Sequence, residues 1–235
     1  NSKTGFGGCR SNWKNNMASF IKHTVRNNDF ILHGNRTVFW EQEKALIVSD
    51  LHIGKTGHFR KSGIPVPPSV TREDMQRLVD SIQFFKPARL IIVGDLFHSL
   101  ENKEHDWFLK WRNDFPGVEF ILVKGNHDII ADTWYTNANI TVAEKSLRQN
   151  GFLFVHHIED VTEKDLEENY CFSGHIHPAV VIRGLGKQSL RFPCFYFTEQ
   201  YAVLPAFGKF TGTYMVEPSK KEKAFAVVNN SVIQV

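Results

Sequence analysis

The 235-residue sequence predicts an α/β fold of two packed mixed β-sheets flanked by helices. Three observations lead there. Apolar runs of strand length recur from residue 30 to the end, and amphipathic helical patterns separate them only in the first half. Five of the runs stop abruptly at an Asp, Asn or His, as expected where the carboxyl ends of strands in an α/β sheet surround a ligand site.

Taken in order, residues 1–16 are rich in Asn, Gly, Ser and Lys, offer little to bury, and precede Met17. They read as an upstream extension or an expression remnant, leaving 17–235 as a single domain. Residues 30–32 and 37–40 read as strands around the turn His33-Gly34-Asn35-Arg36. The run 45–48 leads into Asp50-Leu51-His52 and a loop from Gly54 to Ser69 punctuated by Gly and Pro. Thr71 is placed to cap a helix running to about Phe84, with Glu73 and Asp74 in its first turn and Pro87 beyond its end. Met75, Leu78, Val79, Ile82 and Phe85 fall at helical spacing and face the sheet.

The run 90–93 leads into Gly94-Asp95, and residues 101–115 read as a second helix with Trp107, Phe108, Trp111 and Phe115 on its buried side. The run 120–123 leads into Gly125-Asn126-His127-Asp128. After Gly151 the rhythm changes to strands with short connections. Run 152–155 ends at His156, and 170–172 precedes Gly174-His175-Ile176-His177. Further strands are expected at 180–183, 190–197, 202–204, 213–216, 224–228 and 232–235, giving a largely antiparallel second sheet.

Composition excludes several classes. With 42% hydrophobic and 23% charged residues the chain reads as ordinary soluble protein. No apolar stretch approaches the length of a membrane span, and residues 1–16 lack the apolar middle of a signal peptide, so a cytoplasmic location is expected. A net charge of +3 does not by itself argue for nucleic acid. Cys9, Cys171 and Cys194 are odd in number and lack CxxC spacing, so they are expected as free thiols, two of them packed as small hydrophobes.

The run-ending residues carry the chemistry. A lone His near a strand is usually structural, and Asp50-x-His52 or Gly94-Asp95 alone is a weak signal. Together with Asn126, His156, His175 and His177 they supply the parts of a two-metal clamp for a phosphate ester. A carboxylate can offer one oxygen to each ion, neutral imidazoles suit Mn, Fe, Zn or Ni, and an Asn carbonyl adds a donor without charge. The series D-x-H, GD, GNHD, strand-ending H and GHIH resembles the calcineurin-like metallophosphoesterase superfamily over residues 45–177. The resemblance implies a four-layer α/β/β/α sandwich holding two divalent ions. Asp50, His52, Asp95 and His177 match the ligands of the first ion; Asp95, Asn126, His156 and His175 match those of the second, with Asp95 as the bridge. His157 is adjacent, but His156 is the first residue beyond the apolar run.

A narrower resemblance, carried by SDLHIGKTGHFRKSGIPVP, GHIHPAV, FPCFYF and LPAFGKFTG, is to bacterial metallophosphoesterases associated with an ATP-dependent DNA ligase and a DNA-repair helicase. It implies a DNA endonuclease or phosphodiesterase acting in repair, with the ligase and helicase of a repair system as candidate partners; of the metals that suit the donors, manganese is expected. Thr213 departs from the second Gly usual after FTG, a change expected in a surface turn. Water activated by the ions would attack phosphorus in line, with His127 as general acid or transition-state stabiliser and Asp128 holding its imidazole. The alternative for that pair is a turn-stabilising role. Lys55, His58, Arg60 and Lys61 are candidates to contact flanking phosphates, or else a solvated basic loop. Phe59, Phe97, Phe195, Tyr196 and Phe207 are candidates to stack bases, with core packing expected for most. The other readings are a hydrolase of small phosphodiesters or phosphomonoesters such as cyclic nucleotides, and a metal-poor binding scaffold.

Overall fold

Runs that are apolar at every position become strands buried on both faces. The computed structural model describes residues 19–55, 69–98, 102–184 and 188–235. Segment 1–16 and the loop residues His58, Phe59, Arg60 and Lys61 lie outside the described residues. The first half comprises β1 (Phe20–Val25), β2 (Asn28–His33), β3 (Thr37–Trp40), β4 (Ala45–Ser49), α1 (Ser69–Phe85), β5 (Arg89–Val93), α2 (Asn102–Arg112), β6 (Glu119–Val123), α3 (Asp132–Asn137) and β7 (Ile140–Ala143). The second comprises β8 (Ser146–Gln149), β9 (Phe152–Val155), α4 (Glu163–Glu168), β10 (Tyr170–Ser173), β11 (Pro178–Arg183), β12 (Ser189–Phe197), β13 (Tyr201–Val203), β14 (Tyr214–Met215), β15 (Lys223–Val228) and β16 (Ser231–Gln234).

β1 to β7 form one sheet in chain order, antiparallel as far as β4 and parallel from there on. The second sheet runs β14-β11-β12-β13-β10-β9-β8, with β15 on β12 and β16 on β15. Its middle pairs, β9–β10 and β10–β13, are parallel, as is β11–β14, so it is more mixed than expected.

Side chains alternate between two cores, as the two-residue period of a strand requires. Ala45 and Ile47 of β4, Ile91 and Val93 of β5, and Phe152 and Phe154 of β9 meet between the sheets. Leu46, Val48, Leu90, Ile92, Phe120 and Leu122 point the other way, against Met75, Leu78 and Ile82 of α1 and Phe108 and Trp111 of α2. Leu153, Val155 and Cys171 face the outer side of the second sheet, where Leu166 of α4 covers them. The layers are therefore helices, sheet, sheet and helix. Aromatic rings from both sheets lock the central core: Phe30 lies 5.2 Å from Phe152 and 5.0 Å from Phe172. Truncating one such ring to Ala costs about 3–5 kcal/mol.

Some local expectations shift. α1 begins at Ser69, before Thr71, and Asp74 is paired with Arg77 at 2.7 Å instead of sitting in the first turn. α2 ends at Arg112, and Trp107 is 41% exposed because the stripe at 108 and 111 carries the burial. Cys171 and Cys194 are free and buried, and burial pushes both thiols up to about 12. None of the described helices is long and apolar enough to cross a membrane.

Candidate metal centre

Five strand ends converge at the carboxyl edge of both sheets. Asp50 follows β4, Asp95 follows β5, Asn126 follows β6, His156 follows β9, and His175 and His177 follow β10. The hydrogen-bond ladder continues past the strand ends: His52 N–H donates to Asp95 O at 2.9 Å, and Gly174 N–H to His156 O at 3.0 Å. Asp50, His52, Asp95, His175 and His177 all have φ between 47° and 68°, the left-handed region that L-residues avoid. Such strain persists only where the surroundings over-determine the backbone, and it clusters at functional sites.

Crowding explains the glycines beside the candidate ligands. A Cβ on Gly125 would overlap the Asp95 carboxylate, and one on Gly174 would overlap the Ser49 hydroxyl and lie 2.5 Å from Asp50 Oδ2.

All seven proposed ligands form one connected cluster. Asp50 Oδ2 is pinned by the Ser49 hydroxyl and by His175 N–H at 3.0 Å, which leaves Oδ1 facing inward. Oδ1 lies 3.5 Å from His177 Nε2 and 3.8 Å from His156 Nδ1. Asp95 Oδ1 accepts from His127 N–H at 3.0 Å. Its Oδ2 lies 3.7 Å from His52 Nε2 and 3.6 Å from His156 Nε2, between imidazoles from opposite sheets. His156 Nε2 is 3.0 Å from both Asn126 Oδ1 and His175 Nδ1, and His52 Nε2 is 3.4 Å from His177 Nε2. Two groups within this cluster have ligand atoms within 4.8 Å of one another: Asp50, His52 and His177, and Asp50, Asp95 and His156.

The donors fit divalent cations. Asp50 Oδ1, which faces the cluster, is buried without a hydrogen bond among the described residues, an arrangement that is costly unless something else satisfies it. Burial, then Lys55, lowers His52 to about 2, so its imidazole is neutral and its lone pair available. Burial, the largest influence, pushes Asp50 upward, but the His177 and His156 imidazoles and the Ser49 hydroxyl outweigh it and hold the group below the usual carboxylate range.

The other candidates are placed differently. His157 caps a short 3-10 turn, its Nδ1 accepting from Glu159 N–H at 3.1 Å, and its ring packs edge-on against that of His175, 4.2 Å away between centroids. The His127 ring lies 5.6 Å from that of His52 and 4.9 Å from that of His98. Asp128 does not hold the His127 ring: Oδ1 accepts from Leu96 N–H at 2.9 Å and Phe97 N–H at 3.3 Å, and Oδ2 from Gly125 N–H at 2.9 Å. It staples the GNHD turn to the GD loop, and burial raises it to about 7. Lys55 lines a crevice with Leu51, His52, Met75, Phe207 and Phe210. Phe97, Phe195 and Phe207 are core residues, at most 1% exposed.

The sequence reading missed His98, three residues after Asp95, and the support given by segment 206–212. Phe207 N–H donates to Ser49 O at 2.7 Å, Gly208 N–H to Asp50 O at 3.2 Å, and His177 Nδ1 meets Gly212 O at 3.0 Å. Thr213, the departure from the FTG pattern, accepts from Arg191 at 3.3 Å.

Comparison with known proteins agrees with this fold. A sequence profile of the calcineurin-like phosphoesterases matches residues 43–168. Among solved structures, the chain is similar to the nuclease MPE of Pseudomonas putida, with 26% identity and a TM-score of 0.77 over 92% of this chain and 100% of that one. It is more loosely similar to the phosphoesterase YfcE of E. coli, with 13% identity and a TM-score of 0.42 over 81% of this chain and 97% of that one. No curated protein matches the sequence significantly.

Proposed function

The chain belongs to the calcineurin-like phosphoesterase family and is a phosphoric ester hydrolase, and within that family we propose that it is a dinuclear, manganese-dependent phosphodiesterase that cuts DNA. The observation that carries the two-metal reading is Asp95 Oδ2, placed between His52 and His156 with an inward-facing Asp50 oxygen beside them. Asp50, His52, Asp95 and His177 would hold one ion; Asp95, Asn126, His156 and His175 would hold the other. Two bound ions supply Lewis-acid charge for the phosphate and lower the pKa of water to about 7.

The chain's own residues do the remainder. Ser49 and His175 N–H orient Asp50, and His127 N–H orients Asp95. The His127 side chain stands beside this cluster and is the proton donor to the leaving oxygen, a role worth about 10²–10⁴-fold in rate. Asp128 fixes the turn that carries His127, through backbone amides. Lys55, which lines a crevice with His52, would contact a flanking phosphate. DNA as substrate is supported by the nuclease similarity and by the sequence resemblance to repair-associated enzymes; a place beside a ligase and a helicase rests on that resemblance alone.

The test is to incubate the manganese-loaded protein with plasmid and single-stranded DNA, bis-p-nitrophenyl phosphate and a cyclic nucleotide. DNA cleavage lost in His127→Ala, with two manganese ions retained, is the expected result. Dye or cyclic-nucleotide hydrolysis without DNA cleavage replaces the DNA reading with a small-diester one, and loss of metal from His127→Ala refutes its role as proton donor.

A further inference from the structure

Two arginines outside the metal centre hold the segment that braces it. Arg77 of α1 is 8% exposed. Its Nη2 donates to Phe207 O at 2.6 Å and to Asp74 Oδ1 at 2.7 Å, and its Nη1 to Asn35 O at 3.0 Å. The guanidinium also sits 4.4 Å over the Phe207 ring. Arg36, in the β2–β3 turn, donates from Nη1 to Ala206 O at 3.1 Å and Gly208 O at 3.3 Å. Three consecutive carbonyls, 206 to 208, are thus gripped by two cations. The same stretch sends Phe207 N–H to Ser49 O and Gly208 N–H to Asp50 O, and a Cβ on Gly208 would lie 2.8 Å from Leu51 O.

The arrangement is expensive for packing alone. Arg77 pairs directly with Asp74, whereas that carboxylate reaches Arg36 only through its charge, and burial followed by the charge of Arg77 draws Arg36 down to about 10. Buried charge is costly unless well paired and hydrogen-bonded, so two guanidiniums side by side are not accounted for by packing alone. The backbone they brace is itself strained: Asp50 and His52 have φ of 52° and 48°.

We propose that Arg36 and Arg77 are positioning residues for the metal centre, clamping carbonyls 206–208 so that this segment holds Asp50 in its left-handed conformation with Oδ1 facing the ions. This rests on the metal-centre reading above. Arg77→Lys keeps the charge but loses the planar fork whose two nitrogens reach Asn35 O and Phe207 O. Arg36→Lys keeps the charge but moves the donor away from the place of Nη1, which alone bonds Ala206 O and Gly208 O.

The experiment is manganese titration by calorimetry of the wild type, both Lys variants and Arg112→Lys, with circular dichroism and thermal unfolding on each. Arg112 is the control, a buried guanidinium gripping Phe115 O, Val118 O and Asn139 O at the opposite edge of the sheet. Arg77→Lys and Arg36→Lys should fold and weaken one of two manganese sites by about 10–100-fold, the range for lost ligand support. Arg112→Lys should lower the unfolding midpoint and leave both sites intact. If Arg77→Lys does not fold, Arg36→Lys carries the comparison. A wild type with two sites that the Lys variants leave unchanged, or an Arg112→Lys that weakens binding equally, overturns the proposal alone. A wild type that takes up no manganese overturns the metal-centre reading and the proposal together.

Discussion

Replacing Gly94 with Ala combines two costs that the structure assigns to different atoms. Gly94 has φ 76°, and a Cβ built on it overlaps Nδ1 and Cγ of the His156 ring. An L-residue in the left-handed region costs about 1–2 kcal/mol. The overlap adds an overpacking term of about 1–3 kcal/mol. Together these give about 2–5 kcal/mol, a fall in Tm near 10 °C at mid-range for a chain of this size. Gly151 supplies the reference, because its φ is 78° but nothing lies within 4 Å of its Cβ position. Gly151→Ala should therefore show the backbone cost alone, about 1–2 kcal/mol. Urea unfolding followed by circular dichroism measures both, and calorimetric titration with manganese reads the ligand. In Gly94→Ala the displaced imidazole should weaken manganese binding by about 10–100-fold. If the two variants lose equal stability and Gly94→Ala binds manganese like the wild type, the steric reasoning is wrong.

Asp128→Ala should leave the amides of Leu96, Phe97 and Gly125 without their acceptor, at about 1–3 kcal/mol for each one that water does not reach, and wild-type stability in urea would contradict the stapling role. Burial, then Lys223, lowers His23 from 6.5 to about 4 in the fold, so the unfolded chain binds the extra proton between those values. Stability contributed by neutral His23 is lost as the pH falls through that window. His23→Phe, packed between Phe197 and Phe225, should flatten the urea-midpoint profile from pH 6.5 to 4; an unaltered slope counts against this. Manganese at a hundred times its Kd should stabilise by about 2.7 kcal/mol per site, so chelation should lower the unfolding temperature. No change on chelation would be incompatible with a folded-state metal centre.

What the sequence disclosed follows from how each element is stabilised. β4, β5, β6, β9 and β10 each carry an unbroken apolar run because both faces are buried there, so the runs and their polar endings are visible without coordinates. β1 was missed because its residues alternate between half-buried and exposed around Lys22, His23 and Thr24. α3 and α4, six residues each, are too short to show a helical period. Backbone strain at Asp50, Asp95 and His175 leaves no mark in the sequence, since none is Gly. The clamp of Arg36 and Arg77 on 206–208 joins residues 130 to 172 positions apart, beyond any local pattern. Asp128 shows the limit most plainly: its place after His127 suggested a partner for the imidazole, whereas three amides from two loops claim it.

Asp50, His52, Asp95 and Asn126 come from one sheet; His156, His175 and His177 come from the other. Neither half of the polypeptide, synthesised alone, owns all of the proposed ligands. On that reading, hydrolytic competence is withheld until the two halves dock. Cation uptake during refolding should lag behind strand formation and coincide with the burial of Phe30 against Phe152 and Phe172.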